Sequence, residues 1–193
     1  MRSVAVYCGS ASGANPAFGR AATALGHQLA EAGCTLVYGG SNAGLMGMVA
    51  DAALAAGGRV IGVIPDGLFE REVAHLGLTE LHVVRSMHER KALMNELAEG
   101  FVALPGGIGT LDELVEMYTW NQLGIHRKPC ALLNIDGYYD SLLAFLRHAA
   151  DQGLLQRRQL ERLLVAGQVE GLLPLLEAAA RAAQPVPADA PRP

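Results

Sequence analysis

The sequence predicts an α/β protein with a mainly parallel sheet and helices on both faces. Short apolar segments typical of strands alternate with longer segments in which apolar residues recur at helical spacing. The composition is 51% hydrophobic with only 5% aromatic residues and 23 glycines, which suits a layered α/β core better than a β-sandwich. Continuously apolar strands such as 101–104 are typical of buried parallel strands.

We expect one domain over residues 1–183 and a disordered tail over 184–193. The chain of 193 residues has the usual length of one domain, and we find no internal repeat or dividing linker. The final ten residues are rich in Pro and Ala and offer little to bury.

The predicted strands and helices follow each other in order. The expected strands are 4–8, 34–38, 59–64, 81–85, 101–104 and finally 129–135. Four of the expected helices are 16–32, 45–56, 138–152 and 169–183. Another begins at Ser86, and one more follows the glycine loop at 106–109 and ends near 123. Asn15-Pro16 is typical of a helix start, as is Ser86 with Glu89 three residues later. Since helices join consecutive strands, we expect right-handed crossovers and parallel pairing.

Glycine-rich loops follow three of the predicted strands, at 9–13, 39–44 and 106–109. In a parallel sheet, ligands bind beyond the carboxyl ends of the strands. We therefore expect Gly9, Ser10 and Gly40 to contact a ligand. For the second loop, close packing of helix on strand through Gly44 and Gly47 is an equally good explanation.

The third loop, Pro-Gly-Gly-Ile-Gly-Thr over 105–110, predicts a phosphate site. Gly106, Gly107 and Gly109 let the backbone approach a ligand, and the N–H groups that begin the next helix favour an anion. Thr110 can add a hydroxyl donor. The loop is not a Walker A motif, because no Gly-Lys-Ser/Thr follows, and it is not a dinucleotide fingerprint, because Asp112 stands where the third glycine belongs. A plain tight turn is the alternative.

Three charged residues near this loop each have two interpretations. Glu113 is a catalytic candidate, but Thr110-x-x-Glu113 is also the spacing of a capping box. Arg90 and Lys91 are cations in the first turns of a helix, where the dipole disfavours them. That placement suggests that a bound phosphate or carboxylate compensates them, and the alternative is a solvated helix face.

Charge and targeting features exclude several classes of function. A net charge of −4 with no Lys/Arg run argues against nucleic acid as the main partner. No apolar run reaches the roughly 18 residues that span a bilayer, and we see no signal peptide, so we expect a cytoplasmic protein without a membrane partner. The three separated cysteines, Cys8, Cys34 and Cys130, predict neither a disulfide framework nor a metal site.

Taken together, five segments resemble the LONELY GUY (LOG) family of cytokinin riboside 5′-monophosphate phosphoribohydrolases. They are 39–47, 87–91, 105–113, 119–126 and 133–139. The pairing of Arg90-Lys91 with Pro-Gly-Gly-x-Gly-Thr-x-x-Glu is the family's hallmark, and the likeness runs from about 4 to about 165. Ser41 departs from the pattern, since the family usually has glycine there.

The resemblance implies a Rossmann-like nucleotide-binding fold, and a homodimer with active sites near the subunit interface. It implies hydrolysis of the N-glycosidic bond of N6-substituted adenosine 5′-monophosphates, with release of the base and ribose 5-phosphate and without a cofactor. Arg90 and Glu113 match the family's catalytic pair. The positions that match its nucleotide-binding residues are Glu72, Lys91, Gly107, Ile108, Gly109, Thr110, Leu111, Asp112 and Thr119.

Two other functions are open at this point. One is a non-catalytic carrier of a nucleotide or of molybdenum cofactor, since similar glycine turns occur in such carriers. The other is lysine decarboxylation, a label often given to this family, which would need pyridoxal phosphate on a lysine. The only lysines are Lys91 and Lys128, and neither has an evident partner for the pyridine ring. The sequence leaves open the base substituent and the choice between dimer and hexamer.

Overall fold

The computed structural model describes residues 1–69 and 74–183, and within them the chain forms seven strands. These are β1 (Ser3–Tyr7), β2 (Thr35–Tyr38), β3 (Val60–Pro65), β4 (Glu80–Val84), β5 (Phe101–Ala103), β6 (Cys130–Leu133) and β7 (Leu163–Ala166). They make one sheet in the order β4-β3-β2-β1-β5-β6-β7. All six pairings between these strands are parallel, which confirms the predicted fold class.

Eight helices lie within the described residues. They are α1 (Pro16–Glu31), α2 (Gly44–Ala55), α3 (Asp66–Phe69), α4 (Met87–Leu97), α5 (Ile108–Gln122), α6 (Asp140–Asp151), α7 (Arg157–Leu160) and α8 (Leu172–Ala182). A short 3₁₀ turn, Ile135–Gly137, precedes α6. None of these helices is both long and apolar enough to cross a membrane.

Two helix layers cover the sheet because successive strand residues point to opposite faces. On one face, α1, α2 and α8 pack over Val4 and Val6 of β1 and their neighbours. On the other face, α4, α5 and α6 pack over Ala5 and Tyr7. Every residue of β1 is buried, as expected for the central strand of a sheet that is covered on both sides.

Local sequence signals explain where several helices begin and end. The Asn15 side chain accepts a hydrogen bond from the Ala17 N–H, and Pro16 is the first residue of α1. Gly33 ends that helix region with φ of 64°. At α4, the Ser86 hydroxyl accepts from the Glu89 N–H, while the Glu89 carboxylate accepts from the Arg85 N–H. The caps predicted at Asn15 and Ser86 are confirmed, but Glu89 accepts from the residue before the N-cap and so forms only part of the expected capping box.

The expectation that 129–135 is the last strand is wrong, because β7 follows it. β7 has only four residues and lies at the edge of the sheet beside β6. Its Leu-Leu-Val-Ala sequence is too short for its periodicity to distinguish a strand from a helix. Pairing with β6, a contact made only in the folded chain, decides the outcome.

The strand order reverses between β1 and β5. From β1 the chain winds outward through β2, β3 and β4, and then returns to place β5 on the other side of β1. The loops after β1 and β5 are therefore neighbours, and the Gly9 N–H donates to the Pro105 carbonyl at 3.1 Å. Such a reversal opens the crevice in which doubly wound sheets bind ligands.

The tail predicted over 184–193 lies outside the described residues.

Candidate active site

The glycine loop after β5 leads directly into α5, with Gly107 as its N-cap residue. The first hydrogen bond of the helix runs from the Leu111 N–H to the Gly107 carbonyl at 3.2 Å. The N–H groups of residues 107–110 therefore have no carbonyl partner within the helix. They form the positive end of the helix dipole. The structure thus has the anion-binding geometry that the sequence predicts at this position.

The three glycines of this loop differ in how much space surrounds them. A Cβ on Gly106 would lie 2.1 Å from the Thr110 hydroxyl oxygen, so the fold itself requires glycine there. A Cβ on Gly107 or Gly109 would meet no other described atom within 4 Å. Packing within the described chain therefore does not explain the last two glycines, whereas close approach of a ligand would.

Thr110 lies beneath this loop. Its side chain is buried, and its hydroxyl occupies the space that a side chain on Gly106 would need. Thr110 thereby fixes the turn from within the first turn of α5. The structure consequently gives it a supporting position under the loop.

The capping-box interpretation of Glu113 is wrong. Because α5 begins at Ile108 with Gly107 as N-cap, Thr110 is the third residue of the helix and Glu113 the sixth. A capping glutamate is the third residue and bonds to the N-cap N–H, so Glu113 is nearly one turn too deep. Its carboxylate is used elsewhere.

Glu113 instead forms a buried ion pair with Arg90. Arg90 Nη2 lies 3.1 Å from Glu113 Oε1, and the two residues are only 6% and 7% exposed. The pair joins α4 to α5, the helix that begins at the glycine loop. Burying two charges costs several kcal/mol per ion, so such a pair contributes little net stability. A buried charge pair beside a crevice is a candidate for chemistry.

Gly39, at the end of β2, provides the space for this guanidinium. A Cβ on Gly39 would lie 2.1 Å from Arg90 Nη2 and 2.4 Å from Met46 Cε. The Met87 sulfur lies 3.8 Å from Arg90 Nη1. Gly39 is not among the residues expected from the sequence to contact a ligand, because a glycine after a strand gives no sign of which side chain it makes room for.

The remaining glycines of the second loop pack against the chain, as one of the two interpretations predicted. A Cβ on Gly44 would lie 2.4 Å from the Ser10 carbonyl carbon, and one on Gly47 would lie 2.0 Å from the Asn42 oxygen. Gly40 has a φ of +77°, contacts β3, and accepts a hydrogen bond from the His75 N–H at 2.9 Å.

Ser41, where the family usually has glycine, is fully buried in the same loop. Its hydroxyl accepts a hydrogen bond from the Ala43 N–H at 3.2 Å. The side chain thus stabilises the turn that enters α2. It is accommodated inside the loop.

Lys91 is compensated by two carboxylates of α5. Its Nζ lies 3.2 Å from Asp112 Oδ2 and 2.5 Å from Glu116 Oε2. Burial alone lowers the pKa of Lys91, but the hydrogen bonds with Glu116 and Asp112 outweigh that effect, so its pKa lies above the ordinary value. In the structure, carboxylates of α5 offset both cations, so their placement in the first turns of α4 does not require the bound anion that the sequence suggests. Thr119 follows Asp112 and Glu116 on the same face of α5 and is exposed.

The other residues predicted to contact a ligand lie in three places. Gly9 and Ser10 adjoin the phosphate loop, since the Gly9 N–H bonds to Pro105 and the Gly9 carbonyl accepts from the Leu45 N–H at 3.0 Å. Ile108 is exposed and Leu111 half-buried in the first turn of α5. Glu72 lies outside the described residues.

Fold and site together define a class, namely doubly wound α/β proteins with a glycine loop at a helix N-terminus where the strand order reverses. Comparison with known proteins gives the family. The model of a family described as possible lysine decarboxylase matches residues 46–176. A cytokinin riboside 5′-monophosphate phosphoribohydrolase of Rhodococcoides fascians is 48% identical over 173 residues, which cover 89% of this chain and 87% of the relative.

A protein of Arabidopsis thaliana with the same name is 46% identical over 177 residues, covering 92% of this chain and 83% of the relative. The chain belongs to the family of cytokinin riboside 5′-monophosphate phosphoribohydrolases, which confirms the resemblance. Among solved structures, a molybdenum cofactor binding protein of Rippkaea orientalis superposes with a TM-score of 0.69 at 24% identity, covering 92% of this chain and 96% of that one. That likeness concerns the fold.

Proposed function

We propose that this protein hydrolyses the N-glycosidic bond of adenosine 5′-monophosphates, including N6-substituted ones, to the free base and ribose 5-phosphate. The observation that carries the proposal is the buried Arg90–Glu113 pair, 3.1 Å apart, beside the glycine loop that begins α5. The names of relatives that are 46% and 48% identical support the same reaction.

In this proposal the loop anchors the phosphate, which is the end of the substrate that does not react. The N–H groups of 107–110 and the dipole of α5 favour a dianion. Gly107 and Gly109 leave space for it, since no other described atom would contact a side chain there. Binding energy gained at the phosphate can then position the ribose over the catalytic pair.

The chemistry requires a carboxylate near the anomeric carbon. As the C1′–N9 bond breaks, the base leaves with the bonding electrons and the ribose acquires oxocarbenium character. The Glu113 carboxylate stabilises that charge and accepts a proton from the attacking water, whose oxygen bonds to C1′. Transfer of that proton to the departed base releases the neutral base and restores the carboxylate. Arg90, whose guanidinium lies against Glu113, holds the carboxylate in place and provides a cation for the 5′ side of the sugar.

The remaining residues are assigned to nucleotide binding in the same proposal. They are Glu72, Lys91, Gly9, Ser10, Gly40, Gly106, Gly107, Ile108, Gly109, Thr110, Leu111, Asp112 and Thr119. Lys91 supports the site through Asp112 and Glu116, which are on the α5 face that carries Thr119. No residue identifies the base substituent, so the proposal covers plain and N6-substituted adenine.

We also propose one domain over 1–183 and a homodimer whose sites lie near the interface. Both helix layers cover one continuous sheet. Ile108 and Val115 are 83% and 47% exposed on α5, the helix that holds the phosphate loop and Glu113. A second copy seated on this apolar surface would bury it next to the substrate.

The direct test is to incubate the protein with AMP and with isopentenyladenosine monophosphate and to measure the released base. We expect release from at least one of them, and folded protein that binds nucleotide but releases no base would refute the proposal.

Glu113→Gln should keep ribose 5-phosphate binding and lose about 10² to 10⁴ in kcat, the range for loss of a general base. The matched control is Glu99→Gln, whose carboxylate pairs with Arg2 away from the loop.

The structure also bears on the two rival functions. A Schiff base forms from a neutral amine, whereas two carboxylates hold the pKa of Lys91 above its ordinary value. The Lys128 ammonium bonds to the carbonyl and side-chain oxygens of Asn95 beside the Phe101 ring. For a carrier, the outcome would be tight binding of a phosphorylated ligand without release of base, which the same assay detects.

A further inference from the structure

The loop between β6 and α6 extends to the phosphate loop through a tyrosine that the proposed reaction does not use. The Tyr138 hydroxyl donates a hydrogen bond to the Gly106 carbonyl at 2.6 Å. Tyr138 belongs to the 133–139 segment, to which the proposed function gives no task. Its side chain is 43% exposed at the edge of the candidate site, so its hydroxyl is not needed to satisfy a buried group.

Thr110 packs against Gly106 from below the loop, whereas the hydrogen bond that fixes the direction of the Gly106 carbonyl comes from Tyr138. Side chains restrict backbone rotation through their Cβ atoms, and glycine lacks one. A peptide between two glycines is consequently among the freest to rotate. The neighbouring backbone contact of the loop, from the Gly9 N–H to the Pro105 carbonyl, fixes the preceding carbonyl and not this one.

The direction of the Gly106 carbonyl determines the direction of the Gly107 N–H. In a trans peptide the C=O and the N–H of the next residue point in opposite directions, and the described peptide bonds are all trans. With its carbonyl held by Tyr138, this peptide presents the Gly107 N–H on the opposite side. That N–H is the first of the four that precede the helical ladder of α5.

The Tyr138 ring is itself held rigidly. It packs edge-on against Phe18 of α1 at 5.2 Å and against Tyr139 at 4.9 Å, measured between ring centroids. The Tyr139 hydroxyl donates to the Leu104 carbonyl at 2.6 Å, and the Tyr139 N–H donates to the Asn134 side chain at 2.7 Å. The hydroxyl of Tyr138 is therefore presented by a side chain that packs between Phe18 of α1 and the neighbouring Tyr139.

We propose that Tyr138 is a positioning residue that orients the Gly106–Gly107 peptide so that the Gly107 N–H donates to the substrate phosphate. The inference rests on the phosphate-binding part of the proposed function. In this inference the loop between β6 and α6 contributes to substrate affinity through Tyr138, although it supplies no catalytic group. Its effect should be confined to ligands that have a phosphate.

The test is Tyr138→Phe, which keeps the ring and removes the hydroxyl. Binding is measured for ribose 5-phosphate and for adenine, the two products of the proposed reaction with AMP. We expect the Kd of ribose 5-phosphate to rise about five- to tenfold, the ratio expected for one lost hydrogen bond. The Kd of adenine should stay within about twofold, which is a smaller free-energy change than one hydrogen bond.

The matched control is Tyr118→Phe, which removes a hydroxyl that donates to the Gln159 carbonyl at 2.5 Å, away from the loop. It should lower Tm without changing the affinity for ribose 5-phosphate. Unchanged ribose 5-phosphate affinity in Tyr138→Phe would overturn the inference, and so would equal losses for both ligands. Because binding of products needs no turnover, a protein that binds them but hydrolyses nothing would refute the proposed function and leave this inference standing.

Discussion

At the residue scale, the position of Arg90 depends on the absence of a side chain at Gly39. The guanidinium occupies the volume in which a Cβ on Gly39 would lie, 2.1 Å from Nη2. Gly39→Ala should displace the guanidinium from Glu113 and lower kcat about 100-fold, as a misplacement of about 1 Å can do. Steady-state kinetics with AMP measures the effect, and ribose 5-phosphate binding should change far less, since the loop is intact.

The control for this prediction is Gly167→Ala, where an added Cβ meets no described atom within 4 Å. It should leave kcat within about twofold, because small changes at the surface away from a site are usually neutral. Thermal unfolding of both variants separates loss of the site from loss of the fold. If Gly39→Ala is folded and turns over AMP at the normal rate, the proposed role of Arg90 is wrong.

The sequence predicted single residues unevenly, for physical reasons. Asn15 and Ser86 were correct as caps because capping is local chemistry between residues two or three apart. Glu113 could not be separated from a capping glutamate, since that decision depends on which residue begins α5. The contact between Gly39 and Arg90 joins residues far apart in sequence, and only the folded chain brings them together.

At the scale of elements, α5 has a glycine in its first turn that weakens the helix. Gly109 is the second residue of α5, and a Cβ there would contact no other described atom. Glycine within a helix costs up to about 1 kcal/mol relative to alanine. Gly109→Ala should therefore raise Tm slightly, by about 1–3 °C for a protein of this size, while it weakens ribose 5-phosphate binding at least about tenfold by filling the ligand's space.

Thermal unfolding with and without ribose 5-phosphate measures both effects together. Ligand that binds only the folded state raises Tm, so wild-type protein should shift upward and Gly109→Ala should shift much less. An equal upward shift in the two proteins would show that Gly109 does not face the phosphate. A lower Tm for the variant without ligand would show that the fold itself requires glycine at this position.

The long helices could be predicted because their patterns extend over several turns. Helices such as α1 and α6 span three or more turns, so their apolar spacing is distinctive. β7 and the short helices α3 and α7 have four residues each and offer no period to detect. For such short elements, contacts with neighbouring elements decide the conformation.

At the scale of the whole molecule, the position of the site follows from strand order. The sequence indicated alternating strands and helices, but it could not specify that β1 lies between β2 and β5. That order brings the loops after β1 and β5 together and places α4 against α5, so that Arg90 meets Glu113. The proposed catalytic pair is thus assembled by topology from residues that are not neighbours in sequence.

The proposed homodimer is the prediction that belongs to this scale. Val115 is 47% exposed on α5, two residues after Glu113 in sequence. If a second copy packs on this surface, Val115→Glu buries an unpaired charge in the interface, which costs several kcal/mol and should produce monomers. Sedimentation measures the change in mass, and activity should fall with it if the sites lie near the interface.

The control is Leu154→Glu, at a residue that is 85% exposed beyond the end of α6. The same apolar-to-acidic change there should leave the mass and the activity as they are. Monomeric wild-type protein, or a Val115→Glu variant that sediments like wild type, would contradict the proposed interface. A Val115→Glu variant that is monomeric but fully active would support the proposed interface but refute its contribution to the active site. A site completed by a second copy cannot work in a monomer.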